Sequence, residues 1–473
     1  MKPKLNFVDK LILAPMVKIG TLPMRLLALK YGADIVYTEE IIDWRLINSE
    51  RVLNPMLDTV DYVDKSDSTL ILRISPKERG HLVLQIGTSD PDRAVAVAMK
   101  VVKDVDGIDV NMGCPKPFSL KGGMGAALLS DPDKIKSILT HLVEAVGKQI
   151  TVTCKIRILN DLEDTLNIVR LIQSTGVDAL AVHGRTKDER PNHSVHTNII
   201  QEVKKIATIP IIANGGSSNN RDLVANTHEG ILSFWKESTA DSVMIARAAE
   251  WNVSVFSKNR EDIYKIIDDY LDTAIHFDYP FNIVKYNVQQ ILGSDQDTEK
   301  GRKFLSTGTL LDLCNIFDKG DTFSKRQGEL SKLKLKHPLG AREAVRTGVL
   351  SDDVSPKRRK LSSCFPNNLL LPEWDSNEEL TVMFAPYVRT HYPKPCDIPK
   401  AKLLSWFRLK TKSNSAVPSY NTIKTKDKVF QSIVRLGEFG SFASLASEKN
   451  IRYSEQAAAI VALHCLDIQK FNQ

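Results

Sequence analysis

The chain has 473 residues, 42% of them hydrophobic and 26% charged, a size that suits two to four globular domains rather than one. No run of about 18 apolar residues occurs, which argues against a helical membrane span, and the N-terminus lacks the apolar stretch and cleavage site of a secretory leader. The formal net charge of +7 is uneven: residues 1–320 hold 39 basic and 42 acidic side chains, whereas residues 321–473 hold 25 and 15, so a near-neutral body precedes a basic tail suited to a polyanionic partner.

Short β-branched runs alternate with helical stretches to about residue 250. Strands are predicted at Leu11–Ala14, Asp34–Thr38, Leu82–Ile86, Gly107–Asn111, Ile150–Ile156, Ala179–Val182, Ile209–Ala213 and Ser242–Ile245. A cap and an early proline in Thr21-Leu-Pro-Met-Arg25 open one helix, which Gly32 ends, and Ser130-Asp-Pro-Asp133 opens another. Eight βα units predict an α/β architecture, a closed (β/α)8 TIM barrel over residues 1–255. An open doubly wound sheet is disfavoured because no G-x-G-x-x-G follows the first strand. Residues 256–320 turn helical and predict a small helical domain. Residues 321–395 are mixed and proline-containing and read as linker, with PKRRK at 356–360 a candidate nuclear-entry patch. Residues 396–473 read as helix Ala401–Lys410, strands Pro418–Lys426, Lys428–Leu436 and Ser441–Ser447, and helix Ser454–Ile468, an α-β-β-β-α order.

In a barrel, function gathers where the strands end at their C-terminal side. Those ends read Ala14-Pro-Met-Val17, Thr38-Glu-Glu40, Gln85-Ile-Gly-Thr88, Asn111-Met-Gly-Cys-Pro115, Lys155 with Arg157, His183-Gly-Arg185, Asn214-Gly-Gly216 and Ala246-Arg-Ala-Ala249. Lys155 lies in an apolar run, and a lysine there must be paired or face a ligand. Period-two alternation puts Thr153, Lys155 and Arg157 on one face and Cys154 on the other. A flavin suits that cation, because the N1/C2=O edge becomes negative on reduction. Asn214, Gly215, Gly216, Ala246 and Arg247 follow strands seven and eight, where such barrels hold phosphate. His183 is a candidate for a phosphate or the flavin edge, Met16 and Gln85 for its ring, and Glu39 and Glu40 for a ribityl hydroxyl or a salt bridge. Cys114, between Gly113 and Pro115 beside a glycine-rich loop, is placed to donate a proton, since an unperturbed thiol is mostly protonated near neutral pH. Cys154, Cys314 and Cys465 read as small buried hydrophobes. The six cysteines form no C-x-x-C and no zinc spacing, so no metal site and a reducing, cytoplasmic setting are expected.

Together, APMV with TLPMR, DIVYTEE, QIGTSDP, DVNMGCPKPFSLKGGMGAALL, TCKIR, AVHGRT, IIANGG and MIARAA resemble the tRNA-dihydrouridine synthases, in order through residues 11–249. With the helical region and the basic tail, the chain looks most like the eukaryotic branch acting at position 20 of the tRNA D-loop. The tail resembles a double-stranded-RNA-binding domain, best in SEQAAAIVAL at 454–463. The resemblance implies FMN reduced by NADPH, hydride transfer to C6 of uracil, and Cys114 as proton donor to C5. It implies FMN contacts at Lys155, His183, Asn214, Gly215, Gly216, Ala246 and Arg247, with Pro15, Met16, Val17 and Gln85. Asn111 would hold a flipped uracil edge, and Arg25, Arg157 and Arg185 would lie near substrate. The tail departs from the pattern: Ile451-Arg452 stands where two lysines are usual, and a short Lys426-Asp427-Lys428 replaces a Gly-Pro-x-His turn. Lys400, Lys402, Arg408, Lys410 and Lys412 are the expected compensating RNA contacts in a monomeric protein. A flavin reductase of a free small molecule, or an RNA-binding scaffold with an inactive barrel, would share parts of this pattern.

Overall fold

The computed structural model describes residues 4–65, 69–190, 192–334, 357–360, 379–383, 385, 387, 398–424, 430–444, 446, 448 and 450–466. The chain forms two compact units, Met1–Tyr62 with Ile71–Ser331, and Val63–Leu70 with Lys332–Gln473.

In the first unit the eight predicted strands are all present: β1 Leu11–Leu13, β2 Ile35–Tyr37, β3 Leu82–Gly87, β4 Gly107–Met112, β5 Thr151–Arg157, β6 Ala179–His183, β7 Ile211–Asn214 and β8 Ser242–Ile245. Each pairs in parallel with its neighbours, and β8 pairs with β1, so the sheet closes into a barrel. Helices separate most of the strands. Thr21 precedes helix Leu22–Lys30, with proline in its first turn, but its side chain makes no capping bond. The Asp131 carboxylate caps helix Pro132–Val146 by accepting from the Lys134 N–H.

A parallel sheet covered by helices is buried on both faces. The outward set Leu84, Ile108, Val152, Cys154, Leu180 and Val243 is at most 1% exposed. The inward set changes character along the strands. Phe7, Ile12, Ile35, Val83, Ala179, Ala181, Ile212 and Met244 make an apolar cluster. Towards the C-terminal ends the inward positions become Gln85, Asp109, Asn111, Thr153, Lys155 and His183, most of them tied by hydrogen bonds.

Two features were not expected from the sequence. Between β2 and β3 the chain inserts a short strand, Ile41–Ile42, helix Asp43–Ile47 and a three-stranded sheet of Ser49–Asn54, Thr59–Asp64 and Leu70–Ile74. Two buried arginines tie into this part of the fold. Arg73 pairs with Asp61 at 2.6 Å and donates to the Phe277 carbonyl. Arg25 pairs with Glu78 at 2.6 Å. Second, the helical run Ile263–His276, Phe281–Leu292, Glu299–Leu305 and Leu310–Ile316 continues into Gly320–Lys334, within the stretch expected as linker.

The second unit contains a five-stranded sheet. Its strands, in sheet order, are Lys357–Lys360, β9 Glu379–Met383, β12 Ser441–Ser444, β11 Phe430–Arg435 and β10 Ser419–Lys424. Helices Pro399–Thr411 and Ile451–Cys465 complete the expected α-β-β-β-α order. They pack through Leu403, Trp406, Ala458, Val461 and Ala462 on Val434, Leu436 and Phe442. The added β9 pairs in parallel with β12. Its apolar run is short and lies in a proline-rich stretch, which hid it in the sequence. The Lys426-Asp427-Lys428 turn lies outside the described residues, as do Cys364 and Cys396.

Candidate active site

The C-terminal ends of the barrel strands surround a cavity of about 320 Å³, the size of a small-molecule site. Pro15, Met16 and Val17 after β1, Glu40 after β2 and Gln85 of β3 contribute to its wall. So do Asn111 and Cys114 from β4 and its turn, Lys155 and Arg157 of β5, and His183 of β6. All ten were expected at a functional site. Lys116, Glu250 and Tyr286 also line it and were not. Glu250 and Tyr286 come from helices beyond the last strand, where reading strand ends gives no signal.

The charged groups differ in how they are held. The Lys155 ammonium makes no hydrogen bond or ion pair among the described residues, and its register neighbours are Asn111 and Ala181. Burial and nearby Arg157 pull it down to about 8, against the opposing pull of Asp109 and Cys114. The imidazole of His183 is held well below its usual range by burial and by Lys155, Arg157, Arg185 and Arg247. It is therefore neutral. Arg185 Nη1 donates to His183 Nε2 at 3.3 Å, which leaves the imidazole proton on Nδ1. Arg157 Nε donates to the Gly113 carbonyl at 3.0 Å and Nη1 to the Thr186 carbonyl at 2.8 Å, so it braces the turn that carries Cys114.

The Cys114 thiol is pushed up by burial and by the Glu40 carboxylate, while the Lys116 N–H, the Ser119 hydroxyl and the Lys116 ammonium oppose this. It is a thiol at neutral pH. Burial likewise raises Glu40, against the Cys114 thiol and the Lys116 ammonium. Gly87 makes room for it: a Cβ there would sit 2.7 Å from Glu40 Oε1. Glu40, expected at a ribityl hydroxyl or in a salt bridge, lines the cavity with its buried Oε1 unbonded among the described residues.

The expected phosphate residues lie beside the cavity rather than in its wall. Asn214 is buried and donates to the Met244 carbonyl at 2.8 Å, tying β7 to β8. Gly215 has φ +117°, and a Cβ there would meet His183 Cδ2 at 2.9 Å, so only glycine fits. Among the described residues the N–H groups of Gly215 and Gly216 donate to no protein acceptor. Ala246 is the residue before helix Arg247–Trp251. Arg247 Nη2 donates to the Ser217 carbonyl at 2.8 Å and its guanidinium lies over the Trp251 ring. A loop of glycine N–H groups beside an arginine suits a phosphate.

Two residues expected near substrate are corrected. Arg25 is 1% exposed; it donates to both Glu78 oxygens, to the Gly20 carbonyl and to the Arg73 carbonyl. It sits on helix Leu22–Lys30 after β1, outside the cavity wall in which the resemblance implied it. Arg185 is 4% exposed and is engaged by the His193 and Gly215 carbonyls as well as His183, so it supports the cavity from behind. In the second unit, Lys400 pairs with Glu455 at 2.5 Å and lies over the Tyr420 ring, and Arg408 donates to the Ala416 carbonyl. Lys410 and Lys412 are exposed and Lys402 is half-buried. Ile451 and Arg452, at the start of the last helix, are exposed.

Among the described residues no group of His, Cys, Asp and Glu could hold a metal ion, and no helix is long and apolar enough to cross a membrane.

Residues 12–334 match the family model described as dihydrouridine synthase (Dus). The chain is 40% identical over 297 residues to a Schizosaccharomyces pombe tRNA-dihydrouridine(20) synthase [NAD(P)+], covering 61% of this chain and 60% of that relative. It is 39% identical over 307 residues to the Saccharomyces cerevisiae protein of the same description, covering 61% of this chain and 78% of that one. The solved dsRBD of a human tRNA dihydrouridine synthase (20) variant is 33% identical, covering 18% of this chain and 87% of that chain, with a TM-score of 0.17. With the matched region running through the barrel and the helices behind it, the chain belongs to the dihydrouridine synthase family.

Proposed function

We propose that this chain reduces the C5=C6 bond of a uridine in the tRNA D-loop, at position 20, to dihydrouridine, using FMN and NADPH. The observation that carries the reading is one cavity that holds a protonated thiol, Cys114, and an ammonium with no bonded partner, Lys155. The relatives described as tRNA-dihydrouridine(20) synthases support the substrate and the nicotinamide donor.

The residues present fit FMN. Gly215, Gly216 and Arg247 would hold its phosphate, and Lys155 the N1/C2=O edge. Pro15, Met16, Val17 and Gln85 would border its ring. A bound flavin, reduced by NADPH, supplies the hydride that reaches C6. The remaining chemistry belongs to the chain. Addition at C6 makes an enolate through the C4 carbonyl, and Cys114 protonates it at C5. Burial and Glu40 keep the proton on sulfur until then. Asn111 holds the flipped uracil edge, and Nδ1–H of neutral His183 is a donor that adds no charge.

The C-terminal unit is proposed to bind the RNA, supported by its α-β-β-β-α order and the basic excess of residues 321–473. The test is dihydrouridine by mass spectrometry in an unmodified tRNA transcript, given protein, FMN and NADPH, with Cys114→Ala alongside. Product from the unaltered protein and about 10²–10⁴-fold less from the variant is expected. No product from folded, flavin-loaded protein would reject the reaction. Equal product from both would keep the enzyme and reject Cys114 as the acid.

A further inference from the structure

Inward groups at the barrel mouth form one continuous chain of hydrogen bonds. Thr153 Oγ1 donates to Asp109 Oδ1 at 2.7 Å, and Gln85 Nε2 donates to Asp109 Oδ2 at 2.8 Å. Asn111 Nδ2 donates to Gln85 Oε1 at 3.2 Å. The N–H groups of Gly113 and Cys114 donate to Asn111 Oδ1, each at 3.0 Å.

A side-chain amide can stand either way round, but an ionised carboxylate only accepts. Asp109 is 0% exposed, so no water can take the place of these donors. It therefore turns the Gln85 nitrogen towards itself and the Gln85 oxygen towards Asn111. That oxygen in turn draws the Asn111 nitrogen and leaves the Asn111 oxygen for the backbone of the Cys114 turn. Reversing either amide would set N–H against N–H, or oxygen against oxygen.

We infer that Asp109 is a positioning residue: one buried anion sets the direction of both amides and so fixes the turn that presents Cys114. This rests on the proposed role of Cys114 as proton donor. Asp109 is not among the residues that line the cavity, and it acts on the turn through Gln85 and Asn111. The arrangement also leaves each amide a single N–H for the cavity, so both can offer a donor to a carbonyl oxygen of whatever binds there.

The groups facing Asp109 are Gln85, Thr153, Tyr37 through the Thr153 hydroxyl, Cys154 and Lys155. Burial raises the carboxyl to about 6, against those hydrogen bonds and Lys155, so it is ionised at neutral pH. The competing account is that Asp109 serves only as a countercharge for Lys155.

The two accounts separate in the alkylation of Cys114 by iodoacetamide, followed over pH by peptide mass spectrometry on the full-length protein. The midpoint of that profile reports the charge around the thiol. Its high-pH plateau reports how the formed thiolate is presented. Asp109→Asn frees Gln85 to turn, and Gln85→Met cuts the chain while keeping the anion. Both should change the plateau by at least about fivefold, because small misplacements of a reacting group have large effects. Thr153→Val removes a donor but leaves the Gln85 bond, and should keep the plateau within about twofold. Asp109→Asn combined with Gln85→Glu moves the anion one link along, where Asn111 still donates to it, and should restore the plateau.

An unchanged plateau in both Asp109→Asn and Gln85→Met, with a midpoint shift in Asp109→Asn alone, would overturn the inference in favour of the countercharge. So would a double variant that stays as altered as Asp109→Asn. If Asp109→Asn does not fold, Gln85→Met and the double variant still decide the matter. None of these readings depends on dihydrouridine formation, so a failure of the proposed reaction would be seen separately with Cys114→Ala.

Discussion

Arg25 and Lys155 are both cations enclosed in the barrel unit, and the fold treats them in opposite ways. Arg25 meets both oxygens of Glu78 and two backbone carbonyls, and it is 1% exposed. Lys155 borders the cavity with no bonded partner among the described residues. A buried charge is tolerated when its partners are built in, and breaking such a pair is strongly destabilising. A charge left without a built-in partner at a cavity is a candidate for ligand contact. The first cluster holds the protein together; the second is kept for something that arrives.

The sharpest way to break this contrast is to remove each cation in turn. Arg25→Met strands the Glu78 carboxylate in the interior and should cost about 3–5 kcal/mol in denaturant unfolding. Converting Glu78 to Met as well should recover much of that loss. Lys155→Met should leave the stability at neutral pH unchanged or higher, yet lower dihydrouridine formation about 10²-fold. If Lys155→Met destabilised as much as Arg25→Met, the distinction would fail.

Proton linkage gives the same contrast a sign. The lysine value is lowered on folding, from 10.5 to about 8. Between those values the unfolded chain binds a proton that the native protein has released, so stability rises with pH across that window. The rise in the denaturation midpoint should be smaller in Lys155→Met. A smaller effect concerns Glu40, whose carboxylate raises the Cys114 thiol: Glu40→Gln should move the midpoint of Cys114 alkylation to lower pH. The smallest carries the rule into the second unit. Lys412→Glu should reduce the slope of log affinity for tRNA against log salt by about 1, the loss of one phosphate contact. Lys400→Glu should mainly destabilise its unit, because Lys400 already pairs with Glu455.

The strands were legible because each is a short apolar run repeated with a helix between, and period two placed Lys155 inward and Cys154 outward. Reading strand ends then found ten wall residues of the cavity. The resemblance misplaced Arg25, because a matched motif after a strand end says nothing about which way the next helix turns its side chains. Reading strand ends also passed over Asp109, although that residue lies two before Asn111 on the same face; an acid within an apolar strand was the available signal. Glu250 and Tyr286 reach the cavity from outside the eight repeats, and β9 is too short and too close to prolines to announce itself.

The inward side chains of the barrel pass from apolar to polar along the strands. The apolar part is a floor of low polarisability beneath Lys155 and Arg157. Field lines from those cations spread poorly through such a floor and emerge instead through the open end. The field of Lys155 and Arg157 is thereby directed toward the opening beside Cys114, where an anionic ligand would meet it.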